Sequence, residues 1–368
     1  MATHIAREPM PAGTTGETMK AVVIRAFGEP DVLTVEEVRA PQPAEGEVVV
    51  RIAAVEVSRN RDVATRSGRH PFSRAVTLPH VLGGASAGVV ERLGAGVDES
   101  LIGRRVAVMD HYACGWCPEC LAGQVEDCSA LVMVGIHRWG SYAEFVCIPA
   151  SNVHPVPEDL DLVEAAAMAA TGPVALTQLR TVGAGVGSTV IVPGMTGSLA
   201  TTVGALATVL GSKVIGLSRR PEKVPASSVH AVVDSSRSDI ADAILAANNG
   251  GRPDAVIDNV CSPRVFEQYF DVLANGASVA VSGVIGDPGA ILPVPARDLY
   301  SRSIAVRGVR SFTEAVTLEF WDLVRNGFRL PTGVTHEFAL HEAASAHQAI
   351  IDGSVEGHTM LRVSDDYR

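Results

Sequence analysis

The sequence predicts an α/β protein with two domains, one β-rich and one built on a doubly wound parallel sheet. Three observations carry this. The chain has 368 residues, more than one compact core usually holds. From Met19 to about residue 150 it reads as short strands and turns, and from about Leu162 strand and helix patterns alternate. Regular β–α alternation builds a parallel sheet covered on both faces by helices. The expected divisions are a flexible leader over 1–18, a β-rich domain over 19–158, a nucleotide-type domain over 159–308 and a return to the first domain over 309–368.

The elements follow in order. The leader "MATHIAREPMPAGTTGET" lacks the apolar core of a signal peptide. "KAVVIRAF" is a strand closed by the turn-forming "GEPD", and "EGEVVVRIAAVEV" is a longer β-rich run. "GRRVAVMDHYA" and "GSYAEFVCIP" have the same character. "DLVEAAAMAATGPVALTQLRTV" then switches to helical spacing, with alanines that favour the helix. Five strands follow with helices between them: "STVIVPG", "KVIGLS", "HAVVDS", "PDAVIDNV" and "ASVAVSGV". "SLATTVGALATVLG" is the helix after the first of these, ended by Gly211. The tail supplies the helices "EAVTLEFWDLVRNG" and "HEAASAHQAIIDG" and a last strand, "HTMLRV".

Composition excludes several classes. The net charge is −11 with no basic block, so a nucleic-acid partner is not expected. No apolar run reaches the roughly 18 residues that suggest a membrane span. Four of the six cysteines lie within Cys114–Cys128, which is no disulfide framework spread over a secreted fold. The expected setting is reducing and cytoplasmic.

"VIVPGMTGSLATTVG" carries the clearest motif. Gly194 allows a tight turn after the strand, Gly197 lets backbone approach a pyrophosphate, and Ala200 is small where helix meets strand. The helix opening at Thr196, Ser198 and Leu199 would turn its free N–H groups toward the phosphates. The second strand ends in Ser218, Arg219 and Arg220, with Lys223 following, where a carboxylate would have held the ribose hydroxyls of NAD. Guanidinium groups bind phosphate and an acid would repel it, so NADP(H) is the expected cofactor. The alternative is that these arginines are solvated surface charges. Asn259 and Val260 end the fourth strand, and Gly283, Val284 and Ile285 end the fifth. The crevice rule for open α/β sheets places such strand ends beside the ligand.

This order of parts resembles the medium-chain dehydrogenase/reductase superfamily, the zinc-type alcohol dehydrogenase and quinone oxidoreductase relatives. The markers are "FGEPDVLTVEEV", "GASAGVVERLGAGV", the cysteine cluster, "GSYAEFV", "EAAAMAATGPVAL" and "GMTGSLA", spread from Lys20 to Val363. The resemblance implies a GroES-like catalytic domain, a Rossmann nucleotide domain, a small-molecule substrate and a homo-oligomer, dimeric or tetrameric.

The spacing Cys-x2-Cys-x2-Cys-x7-Cys lets Cys114, Cys117, Cys120 and Cys128 surround one tetrahedral ion. Four thiolates leave no open position, so one structural zinc is expected, as in the family's zinc lobe. A disulfide and an iron–sulfur cluster are the alternatives.

Metal-dependent members of the family hold a second, catalytic zinc. Its ligands are a cysteine in Cys-x-x-Asp, a histidine in Gly-His-Glu, and a cysteine or acid before the nucleotide domain. Here Arg59 stands in the first place, ahead of Asp62; Gly84 and Ala85 replace the His-Glu pair; and Ala170 stands in the third place. The expectation is a reductase without catalytic zinc, passing hydride to an activated C=C or C=N such as an enone or iminium. The alternatives are an alcohol or carbonyl dehydrogenase with a rebuilt metal site, using residues such as His80, Asp110 and His111, or a non-catalytic nucleotide-binding relative. The family pattern puts the cleft between the two domains and nominates Arg59, Asn60, Asp62, His80, Asp110, His111, Tyr112, His137 and Trp139, with Asp62 more suited to holding the loop than to acting as a base. His111 and His137 are candidate proton donors, Arg59 or Asn60 a polariser of a carbonyl, and Trp139 an apolar wall. Each has a structural hydrogen-bonding or surface role as its alternative.

Overall fold

A computed structural model describes residues 16–283, 291–310, 312–331, 333 and 335–364, with the side chain of residue 126 left out. The expected leader lies outside the described residues up to residue 15, and so do Val284 and Ile285. The chain divides into two units: Met1–Ala170 with Thr335–Arg368, and Thr171–Val334.

The first unit is β-rich. Its larger sheet is centred on Glu47–Glu56, which pairs antiparallel with Ser86–Leu93, Phe145–Pro149 and the C-terminal strand His358–Arg362. A smaller antiparallel sheet joins Thr18–Ile24 to Thr34–Arg39 and His80–Val81. Valines 48, 50 and 90, with Ile52, Val106, Val108 and Ile148, fill the core beneath the large sheet. The predicted run "GRRVAVMDHYA" is two strands, Arg105–Val108 and His111–Tyr112, interrupted at Met109 and Asp110. That interruption turns Asp110 out of the ladder and into the site described below.

The second unit holds a six-stranded parallel sheet. Numbered along the chain within that sheet, its strands lie in the order 3-2-1-4-5-6, the doubly wound arrangement. Every residue of the central strand Thr189–Pro193 is buried, as a parallel strand covered on both faces requires. The five strands read from the sequence are all present. The sixth, Ala305–Gly308, was not expected; all four of its residues are exposed at the sheet edge, although Ala305 and Val306 are apolar.

Two further differences matter. The return to the first unit falls at Thr335 rather than at residue 309. Helix Glu314–Arg325 belongs to the second unit, where Phe320 leaves no room for a side chain on Gly172 and Glu319 pairs with Arg180. Helix Leu162–Thr181 is long and apolar enough to cross a membrane by length and composition, a property the sequence reading missed. In this fold 72% of its apolar window is buried, as for the core helix of a folded domain.

Candidate active site

The site is built from the turn after the central strand of the first unit. Ser58 opens a π-helical turn over Arg59–Val63, whose Val63 N–H reaches back to the Ser58 carbonyl. The Asp62 carboxylate locks this turn. It accepts the Ser58 N–H at 2.8 Å and the Gly83 N–H at 3.1 Å, tying the turn to the backbone that leads into Gly84. Burial pushes the Asp62 carboxyl up to about 6, against the pull of Arg61 and of those two N–H groups. Asp62 therefore holds the loop, as its neighbours imply.

The locked turn aims Arg61 across Gly84. A β-carbon on residue 84 would overlap the Nη2 atom of Arg61. Nη1 of the same guanidinium pairs with Oδ2 of Asp110, while Oδ1 of Asp110 meets Nδ1 of His111 at 2.8 Å. Asn152 fixes the His111 backbone by donating to its carbonyl at 2.8 Å. Burial alone would raise the Asp110 carboxyl, but Arg61 and His111 outweigh it and hold it well below the carboxylate range. Burial alone would lower Arg61, but Asp110, Asp62 and Glu56 outweigh that and raise it, so it stays cationic. The result is a fixed cation, a carboxylate and an imidazole in one line. Arg61 was not among the sequence nominees. The signal was there, a basic residue directly before the loop-holding aspartate, opposite a glycine in the ligand's place.

The other nominees divide. Asp110 and His111 are brought together. Arg59 is not with them: its guanidinium donates to the Ile350 carbonyl in the C-terminal helix Ala343–Asp352. Asn60 is exposed. His137 accepts the Met133 N–H on Nδ1 at 2.9 Å, which closes the Met133–His137 turn. Trp139 donates from Nε1 to the Pro79 carbonyl at 3.2 Å and packs on the first unit's core. His80 is buried and pushed down to about 4, chiefly by burial.

Two places in the chain bear on metal binding. In the lobe, Sγ atoms of Cys117 and Cys128 lie 3.8 Å apart and those of Cys114 and Cys120 3.9 Å apart. Four sulfurs at about 2.3 Å from one zinc stand roughly 3.8 Å from each other, so the set fits. All four lie within 4.8 Å of one another, and none is in a disulfide. Backbone N–H groups of Cys114, Cys117 and Cys120 point at the sulfurs, which favours thiolates. At the positions that the resemblance assigns to a catalytic metal, the residues offer no ligand set. Gly84, Ala85 and Ala170 offer no donor atom, and Arg61 fills the space over Gly84. Among the described residues the four cysteines form the sole group of three or more His, Cys, Asp or Glu side chains placed to hold an ion, so His80, Asp110 and His111 do not assemble one.

The nucleotide elements lie in the second unit. Gly194 follows the central strand with φ +71°, and a β-carbon there would stand 2.5 Å from Cγ2 of Val260. Only glycine suits both demands. The first i→i−4 bond of helix Ser198–Val209 runs from Thr201 N–H to the Gly197 carbonyl at 2.9 Å. The N–H groups of Ser198, Leu199 and Ala200 precede it and have no helical acceptor, which suits a pyrophosphate. Ser218 is buried and accepts the Arg220 N–H at 2.9 Å, folding the turn that presents Arg219 and Arg220, both exposed. Asn259 is committed to Gln178, whose Nε2 donates to its Oδ1 at 2.7 Å, so its side chain is a brace. Gly283 lies against the Asn259 backbone, where a β-carbon would strike the carbonyl. Cys261 is buried, and burial together with the Asp258 charge pushes its thiol up to about 11.

Residues 44–158 match the alcohol dehydrogenase GroES-like domain and residues 198–326 the zinc-binding dehydrogenase domain, together more than half the chain. The chain belongs to the zinc-type, medium-chain alcohol dehydrogenase superfamily. An alcohol dehydrogenase of Geobacillus stearothermophilus is 29% identical over 352 residues, 95% of this chain and 100% of that protein. A solved NAD-dependent alcohol dehydrogenase superposes with TM-score 0.85 at 28% identity, covering 94% of this chain and 100% of its own. A zinc-binding dehydrogenase from Sinorhizobium meliloti 1021, bound to NADP, superposes with TM-score 0.83 at 26% identity, covering 94% of this chain and 100% of its own. Members of this superfamily are NAD(P)-dependent oxidoreductases, and this chain has both of its domains and its four-cysteine lobe.

Proposed function

We propose that this superfamily member is an NADP(H)-dependent oxidoreductase that interconverts a carbonyl and an alcohol on a small molecule, with no catalytic metal. The names of its relatives favour that substrate pair over the C=C or C=N acceptor expected from the sequence. The observation that carries the reading is the chain of contacts Arg61–Asp110–His111 beside Gly84.

When bound, the nicotinamide supplies or accepts the hydride. The chain's own residues do the rest. Backbone N–H groups at the start of helix Ser198–Val209 hold the pyrophosphate. Arg219 and Arg220 hold the 2′-phosphate, since no carboxylate stands at that strand end to repel it. Asp110 holds the His111 ring through Nδ1, so His111 can place a proton on the carbonyl oxygen as it gains electrons. The four cysteines would clamp the lobe around one zinc, and thiolates of this kind suit a reducing setting such as the cytoplasm. The exposed edge strand Ala305–Gly308, with Ile291 and Tyr300 also exposed, suits pairing with a second copy.

The test is NADPH and NADH oxidation against a panel of aldehydes, ketones, enones and cyclic iminium ions. Turnover of a carbonyl with NADPH preferred supports the reading. Turnover confined to enones or iminium ions returns the site to the C=C or C=N class. Tight NADPH binding with no turnover of any panel compound makes the chain a binding protein instead.

A further inference from the structure

We infer that the guanidinium of Arg61 takes the place of the family's catalytic metal, so a substrate oxygen meets a fixed organic cation. The oxygen half of this rests on the function proposed above; the steric half does not.

Space comes first. The metal-dependent pattern needs a histidine at position 84, and the first atom of any such side chain would overlap Arg61 Nη2. Charge comes second. Asp110, Asp62 and Glu56 keep the guanidinium cationic, so the positive charge a metal would bring is already in place. Position comes third. Asp62 pins the turn to Gly83 on one side and Asp110 grips Nη1 on the other, so the cation cannot swing aside without breaking buried bonds. A preorganised donor of this kind stabilises charge developing on an oxygen without reorganising. The last observation concerns what is unsatisfied. Nε of Arg61 is buried and has no hydrogen-bond partner, while the side chain as a whole keeps 13% of its surface. A buried N–H without an acceptor is costly, and no substrate reaches it there. The part of the side chain still exposed is where a carbonyl or alkoxide oxygen meets the cation.

The experiment has two arms on the full chain. The first exchanges zinc for cobalt(II) and counts the metal. One cobalt per chain, with the spectrum of a four-thiolate site, is expected even at cobalt excess. A second tightly held cobalt with a mixed nitrogen–oxygen spectrum overturns the inference. This arm needs no substrate and no variant, so it stands if the proposed function fails. The second arm uses the carbonyl found by the panel. Arg61→Ala lowers kcat about 100-fold or more, leaves NADPH binding unchanged, and is partly restored by millimolar guanidinium. Arg61→Lys keeps more activity than Arg61→Ala. Wild-type kcat in Arg61→Ala overturns the inference, and if that variant does not fold, the lysine variant and the cobalt count decide.

Discussion

Gly84 and Arg61 share one space: the guanidinium of the second lies where a side chain on the first would begin. The relationship can be measured as a coupling. Gly84→Ala forces the guanidinium off Asp110 and should cost about 1–3 kcal/mol, the usual range for overpacking a buried site. In an Arg61→Ala background the same substitution has room and should cost far less. Urea unfolding of the two single variants and the double variant gives the cycle. Additive costs would mean the two residues do not compete.

The Arg61–Asp110 pair is mostly buried, so removing one partner leaves an uncompensated charge. Asp110→Ala should therefore destabilise by about 3–5 kcal/mol, and Asp110→Asn by less, because it keeps a hydrogen-bonding partner. Thermal melts of both variants at pH 7.5 check this. Equal stability of Asp110→Ala and the parent would remove the buried pair from the account.

Nucleotide preference should sit in two arginines. Arg219→Ala should weaken NADPH binding about tenfold, the cost of roughly 1.4 kcal/mol for a lost charged hydrogen bond, and leave NADH unchanged. Arg219→Ala with Arg220→Ala should abolish the preference. Fluorescence titration of each reduced nucleotide reads both. Equal loss for NADH and NADPH would show that these side chains do not touch the 2′-phosphate.

Stability should fall in acid, and His347 is one cause. It is fully buried, 3.0 Å from the Tyr142 hydroxyl, and burial together with the Arg66 charge pushes it down to about 3. The unfolded chain takes up that proton near pH 6.5 and the folded chain resists it. The contribution is therefore intact above pH 6.5 and is lost as pH falls toward 3. Between pH 7 and pH 5 it amounts to about 2 kcal/mol. Denaturant melts at those two pH values should show a shallower drop for His347→Gln. An unchanged slope would mean the histidine is protonated in the fold.

Much of this was legible in the sequence, for physical reasons. The four cysteines are close together in the chain, so spacing alone brings them to one ion. The Gly194 turn, the helix after it and the buried strand before it announce themselves by local pattern. Arg61 was missed because its partners Gly84 and Asp110 are brought to it by strand pairing, which no local pattern encodes. Arg59 was misplaced for a related reason. Neighbouring side chains on a π-helical turn point apart, and Arg59 faces the C-terminal helix while Arg61 faces Gly84. The edge strand Ala305–Gly308 was missed because it is only four residues long and includes Arg307 and Gly308, which break up its apolar run.

The most direct test of a reaction without catalytic metal is turnover per chain plotted against zinc per chain, across samples stripped and refilled to different extents. Full carbonyl reduction at one zinc per chain, unchanged on adding more, is the predicted result. A rate that climbs as zinc goes from one to two per chain would contradict it.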